Sequence, residues 1–585
     1  MSAINCKSNG GVVIAALLGI LHAMAAFADV DVSGRVVDLN GAALAQAMVS
    51  LETASSHAGA DVITVFSDAD GHFRFPEPIN GVDSLTVRAL DHEMLRPVEV
   101  PADGNAEIIV VMRRRNNQAD VAPASAWLAG IDREDKALFI RDCVGCHQVP
   151  STEVRTYAGL IASVPTGEPS EARLQSWHSI VQYMNYISSW EFGRANPSGP
   201  PDPENAYSVG SGEAIASIMA EHFVGAMDSL DGYEHGAPLI VNEDTRILEY
   251  EVTGTNAIRE AVLLGQPREL WLADVSTNRM YAVDIASGSQ RFVEVPAEGD
   301  MGPHSLHRGS DGSLWIAPFF SSVVAHFDPV RETWRTWDTT TIDGEPIGIH
   351  DLSFGHEHEV LTDKQGYIWY SDIGNNAVGY LDPETGAAET FRAPEVPGRT
   401  DRGAALYGLV MTSDREHIWY SQLGLGSFGS FNVETREFEA LVRLPMVDSG
   451  PRRLTITEND ILYVSLYGSG QLVEYDTKSN TQIGVYDLPD TASAPYGATW
   501  DPVRGVLWIA TSNADAIYRF DPRSKTFGVL PLPRSGAFLR MIDIDPQTGM
   551  LVTSYGNIVE FVHGPRMALL IDPGDDAYDN RVADR

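Results

Sequence analysis

Cys143-Val144-Gly145-Cys146-His147 forms a C-x-x-C-H run, and these residue types at this spacing point to one chemistry. Two thiols add to the vinyl groups of a haem, and the adjoining imidazole supplies an axial nitrogen to the iron. A redox disulfide or half of a zinc site would draw on the same residues. Zinc would want a second Cys/His pair at short range, and the flanking sequence has helical periodicity rather than the βαβ context of redox C-x-x-C motifs. The third cysteine, Cys6, lies in a segment expected to be removed. The expectation is therefore one covalent haem c, attached through Cys143 and Cys146, with His147 on the iron.

Such a group needs helices around it. Ala137-Leu138-Phe139-Ile140 leads straight into the motif. Glu171 to Tyr186 carries apolar residues at helical spacing (Leu174, Trp177, Ile180, Val181, Met184), and Ile215 to Phe223 makes a closing helix. Residues 125–235 thus form a small all-α unit that resembles a class I cytochrome c domain. Some short cytochromes place a ligand methionine after a W-x6-M helix, and Trp177 to Met184 fits, so the resemblance implies Met184 as the sixth ligand. Core packing is the alternative for Met184. Met219, Met227, His178 and a five-coordinate iron stay open.

The chain opens with Lys7, an apolar run from Val12 to Leu21, and Ala26-Phe27-Ala28 before Asp29. Residues 1–28 read as a secretory signal peptide. The run is too short to span a bilayer, and no later stretch is longer. An exported, periplasmic protein without a membrane span is expected. A formal charge of −39 disfavours nucleic acid and anionic membranes as partners. The same charge could favour a basic redox partner protein, although solubility explains it too.

Residues 29–113 alternate apolar and polar positions between Asn-Gly and Asp-Gly turns, which predicts an all-β sandwich. The pattern V-x-G-x-V at Val32–Val36, then D-x-D-G-x-F-x-F at Asp68–Phe75, resembles the carboxypeptidase regulatory-like family. That resemblance implies a spacer or adhesion unit without catalytic residues. Residues 114–124 read as a linker.

From 245 to 570 the sequence repeats. Leu270-Trp271, Leu314-Trp315, Ile368-Trp369, Ile418-Trp419, Leu462-Tyr463 and Leu507-Trp508 mark successive strands. Asp284, Asp328, Asp382, Asn432, Asp476 and Asp521 stand at one constant offset after them. A rigid hairpin with variable connections predicts a β-propeller, and Met550 to Ser554 supplies a degenerate seventh copy. The acidic stretch 571–585 follows. The fold class expected is thus multidomain: an all-β sandwich, a small all-α haem domain and a seven-bladed propeller.

Counting a fixed distance back from each marker to the innermost strand gives Glu260, His304, His358, Gly408, Arg452, Gly497 and Arg540 around the channel mouth. His356 and His358, two apart, would face the same way on a strand. His350 lies nearby but out of repeat register. In P-H-x-[LI]…D-G-x-L-W this part resembles the streptogramin (virginiamycin B) lyase family, whose acids hold Mg²⁺ while a histidine acts as base. Carried over by position, the resemblance implies His304, His356, His358 and Asp372 as metal or catalytic residues. Both family acids are changed: His356 and Asp372 stand in their places. Imidazoles with one carboxylate suit Zn²⁺, Fe²⁺ or Mn²⁺ better than Mg²⁺. Alternatively the histidines make structural hydrogen bonds, or the mouth binds an anion through Arg452 and Arg540.

Three functions follow as expectations. The first is a periplasmic c-type cytochrome in electron transfer, fused to a propeller that binds a small-molecule substrate or a divalent metal. The second is a metal-dependent lyase with an accessory haem domain. The third is a non-enzymatic haem-bearing scaffold.

Overall fold

The computed structural model describes residues 32–578, apart from 54–58, 77–81, 99, 101–107, 164–168, 194–210, 256, 297–301, 320, 340–348, 357–358, 400–405, 557–565 and 576. The expected signal peptide and His358 therefore lie outside the described residues, as does most of the acidic tail.

Six four-stranded antiparallel sheets follow one another between Ile258 and Pro531, each running in sequence order from innermost to outermost strand. A seventh is assembled from both ends of the repeat region. Asp543–Ile544, Leu551–Ser554 and Met567–Asp572 provide its inner strands, and Arg246–Glu251 pairs antiparallel with Met567–Asp572 as the outer one. Innermost strands of neighbouring sheets touch all the way round, and the seventh sheet touches the first. That closes a β-propeller, removing every free inner edge.

The constant offset of the acidic repeat position has a local cause. Asp284 Oδ1 accepts from the N–H groups of Ala286 and Ser287, Asp382 Oδ1 from Glu384 and Thr385, and Asp476 Oδ1 from Lys478 and Ser479. Each caps the tight turn joining the third and fourth strands of its blade, where a carboxylate mimics a backbone turn. The offset itself is set by the hairpin of the second and third strands, where Trp271 pairs with Ala282, Trp369 with Tyr380 and Tyr463 with Glu474 in one register, while the loops between blades vary.

The N-terminal sandwich is continuous with the propeller. One of its sheets runs His72–Arg74, Ser33–Asp38, Ile108–Arg114, His92–Met94. The other, Val62–Phe66, Met48–Thr53 and Val82–Arg88, pairs through Val62–Val65 with Arg246–Glu249. The ring-closing strand is thereby hydrogen-bonded on both edges. Sandwich residues such as Val49, Leu51 and Val110 share one apolar core with Tyr250, Leu270, Val552 and Leu570.

Between sandwich and propeller lie four α-helices: α1 (Arg133–Cys143), α2 (Thr152–Ser163), α3 (Pro169–Gly193) and α4 (Gly212–His222). Asp132 caps α1 by accepting from the N–H groups of Glu134 and Asp135. Trp177 of α3 is fully buried and packs edge-on against Tyr157 and Phe223, with Phe139 behind. Among the described residues no helix is long and apolar enough to cross a membrane.

Ile247 is completely buried in the strand that closes the ring. Ile247→Ala is expected to cost about 2–5 kcal/mol and to lower the urea midpoint of the propeller transition. An unchanged midpoint would mean that this strand contributes little to closure.

Candidate functional site

The inner strands are not regular where they reach the mouth. In each of the first six blades the pairing between the two innermost strands breaks near the first residues: after Ile258, Pro303, Ile349, Leu406, Pro451 and Pro495. A β-bulge re-aims the extra residue. Arg259, His304, His350, Tyr407, Arg452 and Tyr496 sit at these bulges, and Arg540 occupies the corresponding place before the short inner strand of the seventh blade. None of the seven is more than 6% exposed.

They form a contiguous ring. The His304 and His350 imidazoles lie 4.6 Å apart between centroids, and His350 lies 3.8 Å from the Tyr407 ring. The Tyr407 and Tyr496 hydroxyls hydrogen-bond to each other. The Arg452 guanidinium stands 3.8 Å over Tyr467 and 4.5 Å over Tyr496, and that of Arg540 5.1 Å from Tyr496. Burial pushes both histidines well below their ordinary range, the neighbouring cations adding to it, so they are neutral imidazoles. Burial lowers the Arg259 guanidinium to about 9, with Arg540 contributing next. For Tyr496 burial acts upward, but Arg540, Arg452, Arg453 and Arg259 together outweigh it and bring the phenol down to about 8.

One layer deeper, Arg453 crosses the channel. Its guanidinium is paired with Glu260 and Asp351 and donates to Ser305 Oγ at 2.8 Å. His307 Nε2 meets the same Asp351 carboxylate at 2.9 Å. The carboxylates nearest the ring are therefore already engaged.

The C-x-x-C-H segment lies directly on this mouth. Tyr467 donates its hydroxyl to the Val144 carbonyl, and Arg540 Nη2 donates to Gly145 O at 3.2 Å. Gln148 Nε2 donates to Asp515 Oδ1 at 2.8 Å and to Ala537 O at 2.9 Å. The Val149 N–H donates to Asn513 Oδ1 at 3.0 Å, and Asn513 Nδ2 returns a bond to Val149 O at 3.2 Å. Arg141 of α1 is paired with Asp448 and Asp142. A Cβ on Gly468 would lie 2.1 Å from the Asp448 carbonyl oxygen and 2.8 Å from that of Ala137, so only glycine fits between them. Cys143 and Cys146 are not joined in a disulfide and are both partly exposed. His147 Nδ1 lies 2.7 Å from the Gln148 carbonyl oxygen and donates to it, which leaves Nε2 as the lone-pair nitrogen.

The sequence-based expectations divide here. His304, Arg452 and Arg540 stand in the ring. His356 does not: the inner strand of the third blade is Ile349–Leu352, and residues 353–367 separate it from the next strand, where 309–313 suffice in the second blade. The fixed count back from Trp369 therefore lands in an inserted loop, and His350 takes the ring position. Asp372 is buried below the rim, where it accepts from the Gly374 and Asn375 N–H groups and from Asn375 Nδ2, the capping bonds of a turn. Asp274 does the same in the first blade. Glu260, Gly408 and Gly497 fall one residue deeper than expected, because the count ignored the bulge. Arg259, Tyr407 and Tyr496 were missed for that reason. The recurring Pro-x step at Pro303-His304, Pro451-Arg452 and Pro495-Tyr496 is the signal that could have found Tyr496. Met184 is exposed on α3, whereas Met219 of α4 is buried in the helical core. Among the described residues the trio able to hold a metal is Asp414, Glu416 and His417. It lies at the turn joining the two innermost strands of the fourth blade, at the end remote from the mouth.

Tyr496 gives this geometry a measurable signature. One tyrosine is expected to ionise near pH 8, two units below its ordinary value, in an ultraviolet difference titration, and Tyr496→Phe should remove that step. Because the folded value is depressed, its stabilisation is complete above pH 10 and is lost as pH falls through 8. The wild-type melting temperature should therefore rise between those values relative to Tyr496→Phe. A titration with no tyrosine below pH 9 would refute the cluster's electrostatics.

A carboxypeptidase regulatory-like domain model matches residues 31–113. No curated protein matches the chain. Similar solved structures include selenomethionine-substituted virginiamycin B lyase from Staphylococcus aureus, at 14% identity and TM-score 0.45, covering 56% of this chain and 98% of that one. A streptogramin B lyase structure is 15% identical with the same TM-score, covering 56% and 97% respectively. The β-propeller domain of Myceliophteria thermophila Cps50 (Swd1) is 12% identical at TM-score 0.42, covering 55% and 99%. The propeller itself is established by the closed ring of sheets, and the N-terminal sandwich by its strand order together with the matched family model.

Proposed function

We propose that the chain is an exported c-type cytochrome fused to a substrate-binding propeller, acting in electron transfer or substrate oxidation. One observation carries this reading. Val144, Gly145, Gln148 and Val149, within and just after the C-x-x-C-H run, each hydrogen-bond to the propeller at its mouth. A redox group held there would stand between the helical core and the ring of arginines, tyrosines and histidines.

The residues present fit a covalent haem. Cys143 and Cys146 offer two separate, partly exposed thiols. His147 has its Nδ1 committed to a backbone carbonyl, the arrangement that orients an imidazole toward a metal through Nε2. The Trp177 indole N–H is buried without an acceptor among the described residues, a donor available to a polar edge of the group. Bound haem would supply one-electron transfer. The chain's own contribution is positional: the Arg141–Asp448 pair and the Tyr467 and Arg540 bonds fix the motif over the mouth, and their burial keeps water from the space between.

The lyase alternative loses its support in the ring itself. It would need acids around a cation, but among the described residues the ring contains three guanidinium groups and no carboxylate, so a cation there would meet net repulsion.

Protein matured in a periplasm able to attach haem is expected to show a c-type α-band on reduction. The pigment should survive acid-acetone extraction in the wild type and vanish in Cys143→Ser, Cys146→Ser. Pigment released by extraction, or a colourless product from a competent host, would defeat the cytochrome reading and leave a binding scaffold.

A further inference from the structure

From the ring geometry we infer that the propeller mouth is a binding site for a small oxyanion, of carboxylate or phosphate class, clasped by Arg259, Arg452 and Arg540. This deepens the substrate-binding reading of the mouth and rests on it, but not on haem attachment.

A buried guanidinium is costly unless a negative charge answers it. The chain carries a large acidic excess, yet among the described residues no carboxylate enters the ring. Glu260 and Asp351, the acids one layer below, are bound to Arg453. The charged and phenolic neighbours acting on Arg259 are Arg540, Tyr496, Tyr407 and Cys146, none of them a carboxylate. Arg259 Nε, His304 Nδ1 and His350 Nε2 are each buried without a hydrogen-bond partner among the described residues. These atoms belong to three adjacent blades, the two imidazoles lie 4.6 Å apart, and Arg259 Nε is a donor among them. The guanidinium groups and one hydroxyl of the mutually bonded Tyr407–Tyr496 pair can donate, whereas His350, whose Nδ1 donates to the Tyr407 carbonyl oxygen, presents Nε2 as an acceptor. That donor set suits a compact group with several acceptor oxygens, and planar guanidinium matches carboxylate and phosphate geometry. The same set is hostile to a divalent cation.

The test uses the full-length purified protein, dialysed free of polyvalent anions, with oxalate, inorganic phosphate and chloride as probes at matched ionic strength. Calorimetry should give saturable binding of oxalate or phosphate but not chloride, and the preferred anion distinguishes carboxylate from phosphate class. The bound anion should raise the melting temperature and move the Tyr496 ionisation upward from about 8. Arg259→Met should weaken binding at least tenfold and abolish both responses, while being no less stable than wild type without anion, since it removes an unanswered buried charge. Arg259→Lys should retain binding within a few-fold. The inference is overturned if no probe binds saturably, or if only chloride does. It also falls if Arg259→Met is destabilised without anion and still responds to it. The reduced α-band is recorded on the same samples. Anion binding without the band defeats the haem reading alone, and the band without anion binding defeats this inference alone.

Discussion

Asp515 is the contact on which the arrangement of the whole chain depends. It sits in the turn between the second and third strands of the sixth blade and is almost wholly buried. Its Oδ1 accepts from Gln148 of the helical segment and from the Ala537 N–H of the rim, and its Oδ2 lies 3.7 Å from Arg88 of the sandwich. Burial drives its carboxyl upward while Arg88, Gln148 and the rim N–H groups pull it back. A buried carboxylate stripped of any one of these would be left with an uncompensated charge. The three parts of the molecule therefore hold one another in place, and the C-x-x-C-H segment cannot leave the mouth without exposing this group.

Sheet continuity reinforces the same constraint from the other side. The strand Arg246–Glu251 closes the propeller and simultaneously extends the sandwich sheet. Glu249, buried at that seam, answers Arg534 of the rim at 2.9 Å. A motion of the sandwich would thus be felt at the ring closure, and through Arg88 at the motif itself. The carboxypeptidase regulatory-like unit is here a structural brace as much as a spacer.

What could be read in the sequence was whatever obeys a short-range rule. The Asp or Asn at each outer turn repeats at one offset because the hairpin that carries it keeps one register. The sandwich was legible from Asp-Gly and Asn-Gly turns between alternating strands. The ring was only partly legible because it obeys a long-range rule. Bulges shift the mouth-facing residue by one position, which hid Arg259, Tyr407 and Tyr496 behind Glu260, Gly408 and Gly497. The insertion at 353–367 shifted the third blade further, so His356 was placed where His350 stands. Docking of the helical segment on the mouth leaves no sequence signature, since Gln148, Asn513 and Asp515 are ordinary polar residues until folding brings them together.

The cationic character of the ring follows from what happens just beneath it. Gly408 and Gly497 occupy the second layer in the fourth and sixth blades. A Cβ on Gly408 would lie 2.6 Å from the Arg452 carbonyl oxygen, and one on Gly497 2.4 Å from Met541 Sδ. Glycine there lets adjacent inner strands approach closely and leaves the middle of the channel free of competing side chains. Arg453, from the blade between, fills that space and reaches Glu260 and Asp351 on the far side. Burial works against its charge, but these two carboxylates outweigh burial and hold the guanidinium protonated. By engaging them, Arg453 withholds these two carboxylates from Arg259 above. The unanswered charge above is thus a consequence of two missing side chains below, and a larger residue at either glycine would disturb the ring without touching it.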